Sequence, residues 1–375
     1  MSKDPKYSVA QIIAELLSGA WRNEIEPARI CPEALHEVYP IVLSTGAGPL
    51  CWRRIETVTE LSKTEAGQNL RQSYHMTALR GQMLVETLER ICEVLEPAKI
   101  FPLIFKGWSV AQYYDDPDLR PFGDIDLCAP PDLYLKTADC LSQHATTPPD
   151  GGGRQFVPGK KTTVFGFDCE LPGNVTQIDL HRDLQRFRIN ELDAAYERSQ
   201  LIPVKSRQIR VLSPEDHLRL LCLHFLDHGG WRPIWLCDIA AMLEALPDDF
   251  DWDRCLGDDP LTRHWVEIAI GLACQLLGAK PKSGPPLSTL PSWLTNEVLE
   301  QWSRPFATHM PRTRFSQVIL HYPLEIFSEV AARWPNKIRA TCATKSRFDE
   351  RPRWPYQLSE FSRRAFSFFE LAGAR

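Results

Sequence analysis

From residue 8 to 97 the apolar positions recur at helical spacing, in VAQIIAELL, around ALHEVYPIVL and through the long RQSYHMTALRGQMLVETLERICEVLE. This pattern predicts a helical opening region that ends at Pro97. The rhythm then shortens. KIFPLIF is an apolar run of strand length, GWSVAQYY reads as a helix, DIDLCA alternates as a strand, and PDLYLKTADCLSQH reads as a helix with proline in its first turn. TTPPDGGGR is turn material that interrupts this alternation rather than ending it. TTVFGFDCEL and VTQIDLHRDL follow as two strand-like runs around Pro172, Gly173 and Asn174, the pattern of a β-hairpin, and RQIRVL adds a further strand. Ser213, Pro214, Glu215 and Asp216 supply an N-cap, a proline at the first helical position and two first-turn acids ahead of HLRLLCLHFLDH. Beyond that point the chain reads as helical. The expected organisation is a helical region over 1–97, a small α/β core over 98–212 and a helical domain over 213–375.

Composition narrows the class. With 375 residues and 43% hydrophobic content the chain can bury a real core, so a stapled mini-fold is excluded. Eleven cysteines, an odd number with no C-x-x-C pair, argue against a disulfide framework and a zinc ribbon. No run approaches the roughly 20 apolar residues of a membrane span, and the N-terminal segment is interrupted by Glu15, so a cytoplasmic protein is expected. The formal charge of −5 gives no global nucleic-acid footprint. Ten Lys/Arg against four Asp/Glu between Ala331 and Arg375 make the C-terminal segment locally basic, read as a surface of the helical domain. In that segment LSEFSRRAFSFFELA has an apolar face flanked by arginines, for which packing on the domain is favoured over a membrane surface.

The chemistry concentrates in the short core. Asp124 and Asp126 flank one isoleucine, so on a strand they share a face about 6 to 7 Å apart, while Ile125 and Leu127 face the apolar layer. Like charges so placed repel unless a cation sits between them, and hard carboxylate oxygens suit Mg²⁺. By the same alternation Asp179 and His181 share a face opposite Ile178 and Leu180. Three carboxylates on adjacent strands can hold two Mg²⁺ ions, with Mn²⁺ as an alternative, for phosphoryl or nucleotidyl transfer. Upstream, Lys106 and Gly107 stand at a strand-to-helix junction, where backbone N–H groups and a lysine suit phosphate.

The ordered set K-G-W-S, D-P-D-L-R-P-F-G-D-I-D-L and Q-I-D-L-H resembles the polymerase-β-type nucleotidyltransferase superfamily, most closely its branch of uncharacterised bacterial nucleotidyltransferases. The resemblance covers residues 98 to about 245. It implies an α+β fold, with a small mixed sheet flanked by N-terminal and C-terminal helical regions. It further implies that Asp124 and Asp126 bind both metals and that Asp179 completes the catalytic metal site and takes the proton of the attacking hydroxyl. Lys106, Gly107, Ser109, Arg120 and Gly123 become nucleotide-binding candidates, with bracing of the acids as the equal alternative for Arg120. Lys106 departs from the small residue of other branches, and a triphosphate contact is the role expected of it.

Other residues are candidates for substrate or supporting contacts. His181 shares the face of Asp179. His217, His224 and His228 form one stripe on a helix, without the glutamate or cysteine pair that would complete a zinc site; ordinary packing is the expectation for the stripe, with His224 and His228 as candidates to face the nucleotide. Asp238, an acid inside an apolar helical run, needs a partner, for which one of these histidines is the expectation. The reading is a Mg²⁺-dependent transfer of a nucleoside monophosphate from an NTP, expected to be ATP, to a hydroxyl of a small-molecule, peptide or saccharide acceptor; nucleic acid is disfavoured. The competing readings are an ATP-dependent phosphotransferase using the same three aspartates and a non-catalytic nucleotide-binding module.

Overall fold

The computed structural model describes residues 8–144, 164–171, 174–285, 287–309 and 333–372. The chain opens with helices α1 (Val9–Leu17), α2 (Pro32–Ser44), α3 (Gly48–Ile55), α4 (Thr59–Ser62) and the 31-residue α5 (Glu65–Leu95). Ser8 and Gln11 form a reciprocal capping box on α1, and Thr64 accepts the Gly67 N–H at the start of α5. A single turn through Pro97 ends α5, as the proline predicts.

The core follows as β1 (Leu103–Phe105), α6 (Gly107–Ala111), β2 (Asp124–Cys128), α7 (Tyr134–Ser142), β3 (Val164–Leu171), β4 (Asn174–His181), α8 (Leu192–Arg198), β5 (Gln200–Val204) and β6 (Arg207–Val211). Among the described residues these strands make one sheet in the order β3-β4-β2-β1-β6-β5. It is mixed: β2 pairs parallel with β4 and β1 parallel with β6, while the other three pairings are antiparallel. The fold is therefore α+β. Two differences from the sequence pattern are local. Residues 131–133 form a turn and α7 begins only at Tyr134, because the Leu133 N–H bonds back to the Pro130 carbonyl. Gln200–Val204 is a strand despite Pro203, which an edge strand tolerates. TTPPDGGGR and the Pro172-Gly173 link lie outside the described residues, although β3 and β4 pair as the hairpin pattern requires.

The sheet separates two apolar layers. On one face Ile104, Ile125, Leu127, Ile178, Leu180, Ile209 and Val211 pack with Leu84, Leu88, Ile91 and Leu95 of α5 and with Tyr134, Ala138 and Leu141 of α7. On the other face Leu103, Phe105 and Cys128 join the main core. That core belongs mostly to the N-terminal helices and to α9 (Pro214–Asp227), α10 (Pro233–Glu244), α11 (Trp252–Leu256), α12 (Pro260–Leu277) and α13 (Ser292–Trp302). Ser213 caps α9, accepting from the Asp216 N–H, with Pro214 at the first helical position. The C-terminal α14 (Lys337–Ala343) and α15 (Trp354–Ala372) pack on each other; Gln357 donates to the Pro335 carbonyl and Arg363 and Arg364 pair with buried Glu360.

Candidate active site

Burial of alternate residues decides where the acids go. Ile125, Leu127, Ile178 and Leu180 are each at most 3% exposed, and burying such side chains is worth about 1.5–3 kcal/mol apiece. A slip of one residue would trade them for aspartates, so the register is strongly fixed. That register sets Asp126 directly opposite Asp179 and Asp124 opposite Gln177 in the parallel β2–β4 pair. Asp124, Asp126, Asp179 and His181 therefore share the face turned toward the C-terminal helices.

Asp126 is buried at 6% exposure and held by two donors on one oxygen: Lys106 Nζ at 2.9 Å and His181 Nε2 at 2.9 Å from Oδ1. Burial would raise its pKa, but the Lys106 charge and the His181 hydrogen bond outweigh it and hold the carboxyl down at about 2. An ionised carboxylate only accepts, so His181 Nε2 carries the proton of that bond. Asp124 lies in the opposite condition. Burial, then the neighbouring Asp126 and Asp179, push its pKa up, with Lys106 and Arg120 opposing. Gln177 donates to Asp179 Oδ1 at 3.1 Å.

Lys106 sits at the β1–α6 turn with φ 58° and ψ −157°, a backbone region nearly reserved for glycine. Gly107 follows at φ 39°. A small residue is the easy choice at position 106, and this chain instead places an ammonium there, beside the rings of Phe105 and Phe187 at 5.2 and 5.4 Å. The imidazole of buried His217, at the start of α9, steadies the turn by accepting the Lys106 N–H at 3.3 Å. The Ser109 hydroxyl donates to the Lys106 carbonyl at 2.8 Å, a bond that serves the turn itself. Gly123 is exposed just ahead of Asp124, with open space where a side chain would be.

Among the described residues no three His, Cys, Asp or Glu side chains stand close enough together to hold a metal ion. The donor set fits Mg²⁺ in kind: three carboxylates on one face, with like-charge repulsion still acting on Asp124. Lys106 and His181 engage one oxygen of Asp126 and Gln177 one of Asp179, so an ion would compete for those oxygens.

The remaining candidates divide between brace and cleft. Asp238, fully buried on α10, is partnered by Arg120, through Nε at 3.0 Å and Nη2 at 2.7 Å, and by the Tyr114 hydroxyl at 2.7 Å. The expected histidine partner is thus corrected: His217 lies only within electrostatic range of Asp238, and Arg120, four residues before β2, bonds it instead. The third Arg120 donor, Nη1, bonds the Pro121 carbonyl at 2.6 Å. His224 and His228 stand in a wall beside Lys106. His224 contacts Phe187, His228 and Trp235, with ring centroids at 6.2, 4.4 and 4.6 Å. Burial, then the Lys106 charge, holds the His224 imidazole well below its ordinary pKa, so it is neutral. His228 Nε2 accepts from Arg186 Nη2 at 3.1 Å.

Sequence reasoning missed Arg232, which caps α10 in GGWRPIW. Its Nε donates to the Thr45 carbonyl at 2.8 Å, its guanidinium carbon lies 5.5 Å from the Trp235 ring centroid, and Asp124 is among the charges acting on it. The one local signal was arginine before a helix-starting proline, which by itself points to no chemistry.

A model of the family described as uncharacterised nucleotidyltransferase matches residues 33–272, spanning the N-terminal helices from α2, the whole sheet and most of α12. A crystal structure of an antigenic nucleotidyltransferase-like protein from Paracoccidioides brasiliensis is similar at 18% identity and a TM-score of 0.35, covering 53% of this chain and 94% of that one, too distant a likeness to bear on the site. No curated protein matches. With 240 of its 375 residues inside the family match, the chain belongs to the uncharacterised nucleotidyltransferases.

Proposed function

We propose that the protein is a Mg²⁺-dependent enzyme that transfers the nucleoside monophosphate of an NTP, with ATP as the donor, to a hydroxyl of a small-molecule, peptide or saccharide acceptor. The observation that carries this reading is the parallel β2–β4 register, which sets Asp126 opposite Asp179 on the face that also holds Asp124 and the Lys106 ammonium. Asp124, Asp126 and Asp179 would hold the metal, for which their side chains would have to turn closer together than they stand here. When bound, it would offset the negative charge that builds up on the transferring phosphoryl group. Asp179 takes the proton of the attacking hydroxyl, for which its half-exposed position suits it. Lys106 would face the donor's phosphates, free of Asp126 wherever that carboxylate held a cation instead. His181 keeps Asp126 oriented through Nε2–H.

The chemistry makes one bond between the acceptor oxygen and the α-phosphorus and breaks the α–β phosphoanhydride, so pyrophosphate leaves. Incubation with Mg²⁺, a panel of hydroxyl acceptors and ATP labelled separately at the α and γ positions should move only the α label and release pyrophosphate. Transfer of the γ label with ADP as coproduct would instead establish a phosphotransferase.

A further inference from the structure

The cations around the acid face differ in what they already hold. Each nitrogen of Arg120 donates to Asp238 or to the Pro121 carbonyl. Arg186 pairs with Asp227 and His228. Lys106 is bound to Asp126. Arg232 is different: Nε is used by the Thr45 carbonyl, while among the described residues Nη1 and Nη2 make no hydrogen bond and the guanidinium forms no ion pair. A partly buried guanidinium without a carboxylate is an unfavourable arrangement on its own. Burial, then the like charge of Arg120, lowers its pKa to about 10, so the site raises the energy of the charged form and still holds a cation there.

Packing narrows the positions open to the fork while leaving its end partly exposed. The Trp235 ring lies against one side of the guanidinium. Gly46, at φ 82° in the turn between α2 and α3, closes against it; a Cβ at that position would stand 2.9 Å from Nη2 and 3.4 Å from Pro121. The positive φ favours glycine there, and the missing side chain leaves room for the end of the guanidinium. Arg232 is also the N-cap of the 12-residue α10, whose N-terminal dipole adds positive potential to the same spot. The result is a two-pronged donor, preset by packing, within the electrostatic field of Asp124.

We propose that Arg232 is an anion subsite of the cleft, its free Nη1 and Nη2 donating to the oxygens of a substrate phosphate. This deepens the nucleotidyl-transfer reading and rests on it for the choice of donor: carboxylates gather the cation, and Arg232 takes phosphate charge that the cation leaves uncovered. The planar fork matches two phosphate oxygens at once, which a lysine cannot do.

Calorimetry in Mg²⁺ buffer with ATP, AMP, sodium tripolyphosphate and inorganic phosphate, on wild type, Arg232→Gln, Arg232→Lys and Asp124→Asn, tests it. Arg232→Gln should weaken ATP and tripolyphosphate about tenfold or more, the effect of losing hydrogen bonds to a charged group, and change AMP far less. Arg232→Lys should recover only part of the loss. The ligand-free melting temperature of Arg232→Gln should hold or rise, because a partly buried charge without a carboxylate partner is removed; this keeps a binding loss separate from unfolding. Weakened inorganic phosphate with unchanged ATP would place the anion on the acceptor, and the subsite would stand with that source. Wild-type affinity of Arg232→Gln for every probe overturns the proposal, as does a wild type that binds none of them. Tripolyphosphate binding that depends on Arg232, with no Mg²⁺-dependent ATP binding that Asp124→Asn abolishes, would keep the subsite and refute nucleotidyl transfer.

Discussion

At the scale of single residues, the three aspartates are alike in sequence and unlike in environment, which splits the outcome of neutralising them. Asp126, depressed to about 2 by Lys106 and His181 against its burial, contributes stability above the ordinary carboxyl range, lost as pH falls from about 3.8 to 2. Asp126→Asn should therefore cost about 2 to 3 kcal/mol in urea denaturation at pH 7. Asp124, raised by burial and by its two acidic neighbours, destabilises the fold once ionised, so Asp124→Asn should leave the metal-free protein as stable or more stable. Both changes should nearly abolish turnover. Equal destabilisation by the two would show that the charges do not act as described. Lys106 is separable in the same way. Lys106→Ala and Lys106→Gly both remove the ammonium, but with φ 58° and ψ −157° the glycine variant should be more stable than the alanine by about 1 kcal/mol, again read by urea. These acids and the lysine were legible because a period-two pattern shows which side chains share a face. Arg232 was not: its meaning depends on the absence of a partner, which only three-dimensional proximity reveals.

At the scale of elements, the start of α9 and the β1–α6 turn form one device. His217 Nε2 accepts the Lys106 N–H, which requires a neutral ring, and burial brings its pKa down to about 4. The unfolded chain binds a proton near pH 6.5, the folded one only near 4. Stability from this residue is thus complete above pH 6.5 and lost on acidification toward 4. Between pH 7.5 and 4.5 wild type should lose about 2 to 3 kcal/mol more than His217→Gln, which keeps an acceptor and does not titrate. Parallel pH profiles for the two proteins would refute this role. The sequence marked the α9 start clearly, because cap, proline and acids are local signals. That β1 lies between β2 and β6, antiparallel to one and parallel to the other, was not readable, since a run as short as Leu103–Phe105 carries no mark of its neighbours. The β2–β4 parallel pairing was equally hidden, although each strand was recognised separately, and it is this pairing that brings the third acid to the first two.

At the scale of the whole molecule, one apolar cluster runs from α1 and α3 through Leu103, Phe105 and Cys128 of the sheet to α9, α10 and α12, so the helical regions on either side of the core in sequence pack together in space. Composition foretold a core of this size but not which segments share it. A polar joint lies within that packing: Arg120, four residues before Asp124, holds Asp238 of α10 across 118 positions of sequence, with Tyr114 as the third member. Both charged groups are buried, so removing one leaves the other uncompensated, whereas replacing both with apolar side chains removes the liability. Arg120→Met should destabilise by about 3 to 5 kcal/mol, and Asp238→Leu in the same protein should recover most of that loss. The joint also sets the approach to β2, so Arg120→Met should weaken Mg²⁺-dependent ATP binding although each Arg120 nitrogen is already engaged by Asp238 or Pro121, and the double variant should restore stability more fully than affinity. A single variant that unfolds like wild type would show that the pair does not couple the sheet to α10; a double variant as unstable as the single would place the loss in packing around Tyr114 rather than in the stranded charge.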